Sequence, residues 1–139
     1  MHVPETCLPP ITLCTTDAER LQVLSAASRR LTPEVADFLE GELERARILP
    51  PEDVPPSFVR MGSRVWFRDD GTGMTTRAVL VYPGREDSEL RRVSILSPVG
   101  AALIGLSPGQ SIVFVTAHGR RRKLTVLSVE AGEASPPSP

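Results

Sequence analysis

Two strand-like runs, Arg92 to Leu96 and Ser111 to Val115, are joined by the stretch Ser97-Pro98-Val99-Gly100-Ala101-Ala102-Leu103-Ile104-Gly105-Leu106-Ser107-Pro108-Gly109-Gln110, which leaves the chain few options. Pro98 suits the first turn of a helix, where its missing N–H costs nothing, and Ser97 is the natural cap. Ala101 to Ile104 supply good helix formers, and Gly105 can take the left-handed exit conformation. Ser107-Pro108-Gly109 then turns the chain into the next strand. A short helix held between two strands is a packing device, and its N-terminal corner is a candidate contact point.

The segments on either side set the architecture. Thr16-Asp17-Ala18-Glu19 fits a capping box, and Leu21, Leu24 and Ala27 recur at helical spacing, so a helix is expected from about Asp17 to Ser28. Thr32, Pro33 and Glu34 signal a second start. Val35, Phe38, Leu39, Leu43 and Ala46 then form one apolar stripe, with Glu34, Asp37, Glu40 and Glu44 mostly off it. Pro50 and Pro51 end this helix, giving an antiparallel helical hairpin. Ile11 to Cys14 either pair locally or lead into the first helix.

Beyond a proline-rich linker the period changes to alternating. Ser63 to Phe67 and Thr76 to Tyr82 read as strands about the turn Asp69-Asp70-Gly71-Thr72-Gly73, followed by Ser111 to Ala117 and Lys123 to Val129 joined through His118-Gly119-Arg120. The pattern is α+β. The expected organisation is a flexible arm over 1–10, a short coiled-coil domain over 11–50, a linker over 51–58, a sheet domain over 59–130 and a disordered tail over 131–139.

A chain of 139 residues is expected to form one core, alone or with a small appendage. Its net charge of −1 makes no overall case for nucleic acid or an anionic membrane. No apolar run approaches the ~20 residues that span a bilayer, and no signal-peptide core is visible. Cys7 and Cys14 do not make a disulfide framework, so a reduced, cytoplasmic setting is expected.

The run from Ser97 to Ile112 resembles the C-terminal domain of the Gre transcription factors. Met61-Gly62-Ser63-Arg64-Val65 and Ala78-Val79-Leu80-Val81-Tyr82-Pro83 narrow the likeness to the Rnk branch, the regulators of nucleoside diphosphate kinase, which are Gre homologues that bind RNA polymerase. The resemblance covers roughly residues 11 to 130. It implies a coiled-coil N-terminal domain and an FKBP-like C-terminal domain, an antiparallel sheet with one short helix.

It also implies where to look for function. Gre factors extend a long hairpin down the polymerase secondary channel, where paired acids at its tip help to hold a catalytic Mg²⁺ for transcript cleavage. The matching tip signature, a Gly-Asp-x-Ser-Glu-Asn-like run, is absent: the segment reads Ser28-Arg29-Arg30-Leu31-Thr32. Helices of about 12 and 16 residues reach only ~18 to 24 Å. Arg29, Arg30, Glu34 and Asp37 are the channel-facing candidates. Glu34 and Asp37 form a charge pair aimed at the channel, or ordinary first-turn acids that favour the helix dipole.

In the family the corner that matches Ser97 and Pro98 carries an Asp-Ser-Pro-type sequence and docks on the polymerase rim. Here Leu96 occupies the acidic position, and Gln110 stands where relatives often place Asp. Ser97, Pro98, Val99 and Gly100 are the docking candidates, with a plain helix start as the alternative, and Gly100 is also a fold determinant. Arg120, Arg121, Arg122 and Lys123 form the one basic run, placed at a hairpin tip: either a phosphate contact or, as the absence of interleaved aromatic residues to stack bases favours, a solvated turn.

His2, Cys7, Cys14 and His118 lack zinc-ligand spacing. Neither histidine has a nucleophile partner, and no phosphate-cradling glycine loop is present. No catalytic residue, metal or cofactor is expected, and no sequence-specific nucleic-acid or membrane contact. The expectation is a monomeric, non-catalytic regulator bound to RNA polymerase near its secondary channel, competing with cleavage factors. The alternatives are transcript cleavage through Glu34 and Asp37, and FKBP-like prolyl isomerisation, which needs an aromatic cradle built from Phe58, Trp66, Phe67, Tyr82 and Phe114.

Overall fold

Ile11 to Cys14 are four consecutive buried residues, and they run extended, covered on both faces. They supply β1 (Thr12–Cys14), which leads directly into helix α1 (Thr15–Ser28). Helix α2 (Pro33–Arg45) returns antiparallel to it, and β2 (Arg47–Leu49) pairs in parallel with β1, Leu13 opposite Ile48. In this computed structural model residues 8–116 and 118–132 are described. His2, Cys7, Ala117 and most of the expected arm and tail lie outside them.

Two local expectations need correction. The cap of α1 is Cys14, whose Sγ accepts from the Asp17 N–H at 3.4 Å, and Thr16 and Glu19 are exposed within the helix. The bend falls there because β1 runs straight into the helix. At α2, Thr32 occupies the cap position without capping: its hydroxyl donates to the Ser28 carbonyl at 3.3 Å, and Pro33 fills the first position. The second helix also stops at Arg45, before the prolines, because the backbone of Arg47 to Leu49 is used by β1.

A main sheet has the order β5-β4-β3-β7-β6, with β3 (Arg64–Asp69), β4 (Thr75–Val81), β5 (Arg92–Ser94), β6 (Ser111–Val115) and β7 (Arg121–Glu130). The β3/β4, β3/β7 and β6/β7 pairs are antiparallel. The expected all-antiparallel sheet is corrected at one edge, where β5 runs parallel to β4 with Leu80 opposite Val93. The ten residues Tyr82 to Arg91 loop back only as far as Val79, so that β5 runs beside the last three residues of β4. A bulge at Leu127 separates the pairs Trp66–Ser128 and Phe67–Val126.

Helix α3 (Pro98–Leu103) is capped by Ser97 as its sequence requires, and Gly105 leaves it at φ +81°. Ala101, Ala102, Leu103, Ile104 and Leu106 are all buried. They share one core with Ile11, Leu13, Leu21 and Leu39 from the hairpin and with Val65, Phe67, Leu80 and Val126 from the sheet. Thr12 donates its N–H to the Gly105 carbonyl at 3.1 Å, and Val59 donates to the Leu106 carbonyl at 2.8 Å. A β-carbon at position 105 would lie 2.8 Å from the Ile11 β-carbon, so glycine is demanded there by both conformation and space.

Candidate functional site

The corner at the start of α3 is built from short polar contacts. Ser97 Oγ donates to the Ser94 carbonyl at 2.7 Å and accepts from the Gly100 N–H at 3.0 Å. Ser94 Oγ in turn accepts from the Leu96 N–H at 3.0 Å. Gly100 is buried against this loop, and a β-carbon on it would fall 2.1 Å from the Ser94 carbonyl oxygen. Ser97, Pro98 and Val99 are half-buried and remain on the surface. Of the four docking candidates, three are therefore partly exposed, with Ser97 Oγ held by Ser94 and Gly100, and with Val99 packed against the core; Gly100 lies beneath them. Leu96 packs against the core.

The second candidate region is the hairpin tip. The 14 and 13 residues of α1 and α2 span about 20 Å at the helical rise. Leu31 and Thr32 donate their N–H groups to the Ser28 carbonyl at 3.0 and 2.9 Å, closing a tight turn with the Leu31 side chain 88% exposed. Arg29 donates to Asp37 at 2.7 Å and also bonds Glu40, and these carboxylates push its pKa further up. The structure thus brings Arg29 and Asp37 together, while Arg30 and Glu34 stand exposed on the turn and on the first turn of α2. Arg29→Ala is expected to lower the melting temperature slightly at low salt and not at high salt, because exposed ion pairs are screened.

This arrangement can be compared with known proteins. The family model "Transcription elongation factor, GreA/GreB, C-term" matches residues 54–131, and the model "Rnk N-terminus" matches residues 9–49. The chain belongs to the GreA/GreB family. The "Regulator of nucleoside diphosphate kinase" of Escherichia coli strain K12 is 38% identical over 122 residues, covering 88% of this chain and 90% of that protein. GreA of Roseiflexus castenholzii is 35% identical over 92 residues, 66% of this chain and 58% of that factor. Among solved structures, a prokaryotic transcription elongation factor GreA/GreB from Nitrosomonas europaea superimposes with a TM-score of 0.68 at 37% identity. That match covers 88% of this chain and 98% of the other.

Other features of this GreA/GreB-family chain bear on its chemistry. No group of three or more His, Cys, Asp or Glu side chains is placed to hold a metal ion among the described residues. Nor, among the described residues, is any helix long and apolar enough to cross a membrane. The aromatic side chains do not converge: Phe67 and Phe114 are buried, whereas Trp66 lies on the opposite face of β3. Tyr82 packs near α1 with the Arg20 guanidinium 5.8 Å from its ring, and burial pushes its hydroxyl up to about 12. The basic run is also corrected. Arg120 alone lies in the turn, Arg121 to Lys123 belong to β7, and Arg122 is ion-paired with Asp69.

Sequence reasoning missed Glu42. Its carboxylate is buried on the core face of α2, three residues after Leu39, with Oε2 accepting from Arg45 Nε at 2.7 Å and Oε1 without a partner. Burial pushes its pKa up to about 7 against the opposing pull of Arg45. Arg45 also donates to the Pro9 carbonyl. The signal was available, since position 42 continues the Val35–Leu39 stripe.

Proposed function

We propose that this chain is a non-catalytic, monomeric regulator that binds bacterial RNA polymerase at the rim of its secondary channel. The observation that carries the reading is the length of the arm, about 20 Å, together with a tip where Arg29 engages Asp37 and Glu40. A peg of that length fills a channel entrance, with Asp37 and Glu40 engaged by a guanidinium and Glu34 the one candidate acid outside that contact. The 11–50 unit enters the channel mouth, and the 59–130 domain docks through Ser97, Pro98 and Val99. In the cytoplasm it competes with cleavage factors for the same entrance. An influence on nucleoside diphosphate kinase, the property in the name of the 38% identical relative, then passes through transcription.

Two measurements test this. Polymerase is expected to co-purify with the full chain, and Pro98→Glu is expected to weaken that binding about ten-fold, as a charge in a buried contact does. Unchanged affinity of a folded Pro98→Glu protein would remove the corner from the interface. A stalled elongation complex is expected to keep its transcript length when the protein is added. Shortening that stops with Glu34→Ala and Asp37→Ala together would make the chain a cleavage factor instead.

A further inference from the structure

The near-neutral net charge conceals a separation. Residues 59–132 carry 11 Lys and Arg against 6 Asp and Glu, while residues 8–58 carry 5 against 9. The strand register gathers part of that excess on one face. Arg64, Trp66 and Arg68 alternate along β3 as its exposed residues, with Val65 and Phe67 turned to the core. Arg77 sits directly opposite Trp66 on β4, and its guanidinium lies 5.6 Å from the indole centroid. Lys123 on β7 follows the same parity, two residues from Thr125, the partner of Arg68.

The acids on this face are Asp70, bonded to Arg68 at 2.9 Å, and Glu130, the register partner of Arg64. Trp66 is 37% exposed, which is unusual exposure for so large an apolar ring in the middle of a central strand. Its β7 neighbour is the small Ser128, and the bulge at Leu127 falls immediately beside it. Indole surface is thereby left open on the side away from Arg77. Alternate residues on a strand stand about 7 Å apart, so the cations flank the ring on both sides along β3.

We propose that this outer sheet face binds single-stranded nucleic acid without sequence preference, with one base stacked on Trp66 and neighbouring phosphates held by Arg64, Arg77 and Lys123. An aromatic ring set among cations on an exposed sheet is the arrangement that single strands use, because only an unstacked base can lie on the ring. A duplex offers no such base. The site is separate from the corner at Ser97 and from the hairpin tip, so it stands whether or not polymerase binds there.

Trp66 is the only tryptophan in the chain, so its intrinsic fluorescence reports on the site alone. A short oligothymidylate at low salt is expected to quench it saturably. The logarithm of affinity should fall with the logarithm of salt with a slope of about −2, the value for three phosphate contacts on a single strand. Arg64→Glu with Arg77→Glu is expected to weaken binding more than ten-fold while circular dichroism stays unchanged. Trp66→Ala, followed by anisotropy of a labelled oligonucleotide, should lose about ten-fold and keep the salt slope. Absence of quenching, equal affinity of the double variant, or displacement by polyglutamate as readily as by the oligonucleotide would each overturn the proposal. The last result would assign the face to an acidic protein partner.

Discussion

Adding one methyl group at position 100 is expected to lower the melting temperature by about 10 °C. The β-carbon of Gly100→Ala would lie 2.1 Å from the Ser94 carbonyl oxygen and 2.9 Å from its carbon. Both belong to backbone, so no side chain can swing aside. Ser94 is fixed in turn, since its carbonyl accepts from Ser97 Oγ and its strand pairs with β4. Relief therefore requires α3 to move off the sheet, and α3 carries Ala101, Ala102 and Leu103 into the core. Overpacking of this kind costs about 3 kcal/mol, which for a domain of this size is roughly 10 °C.

Gly41→Ala provides the opposite sign in the same protein. Nothing lies within 4 Å of the added carbon, and position 41 is in the interior of α2. The substitution should stabilise by about 1 kcal/mol through helix propensity and a less disordered unfolded chain. Thermal unfolding of the two variants beside the parent decides both. A Gly100→Ala protein that melts with the parent would mean that the loop before α3 yields easily.

The second large effect concerns pH. Glu42 has its carboxyl raised from 4.5 to about 7 by burial in the folded state. Below about pH 4.5 the group is protonated whether the chain is folded or not, and it contributes no pH-dependent penalty. Between that value and about 7 the folded state holds the proton that the unfolded state has released, so stability falls as pH rises. Above about pH 7 the full cost is present, of the order of 3 kcal/mol, with the pull of Arg45 already included. Glu42→Gln keeps the shape and an acceptor for Arg45 but cannot ionise. Its urea midpoint is expected to exceed that of the parent at about pH 8 and to converge with it below about pH 4.5. Parallel pH profiles for the two proteins would show that Arg45 fully compensates the buried charge.

The parts of this fold that were legible in the sequence are those specified by neighbours along the chain. The helical hairpin and the β3/β4 pair follow from periodicity, though not with the caps read for the hairpin, and Ser97 caps α3 with the geometry its position implies. Pairings set by distant residues were not legible. Arg47 to Leu49 look like the tail of a helix until Thr12 to Cys14 are laid beside them, and β5 looks antiparallel until the loop from Tyr82 is traced. The site divides in the same way. The corner was readable as a helix start, but the contact of Arg29 with Asp37 depends on how tightly the intervening turn closes. Arg77 reaches Trp66 only because of the β3/β4 register, which sequence alone leaves open.

The parallel ribbon of β1 and β2 fastens the two feet of the arm to each other, and Thr12 fastens them to Gly105. Such an arm has no free ankle. A sideways load at Leu31 cannot be absorbed by nodding at the base, because either foot must drag the other and the exit of α3 with it. In the proposed complex, a pull on the tip is thus passed through Thr12 to the exit of α3, the helix that begins at the Ser97 corner.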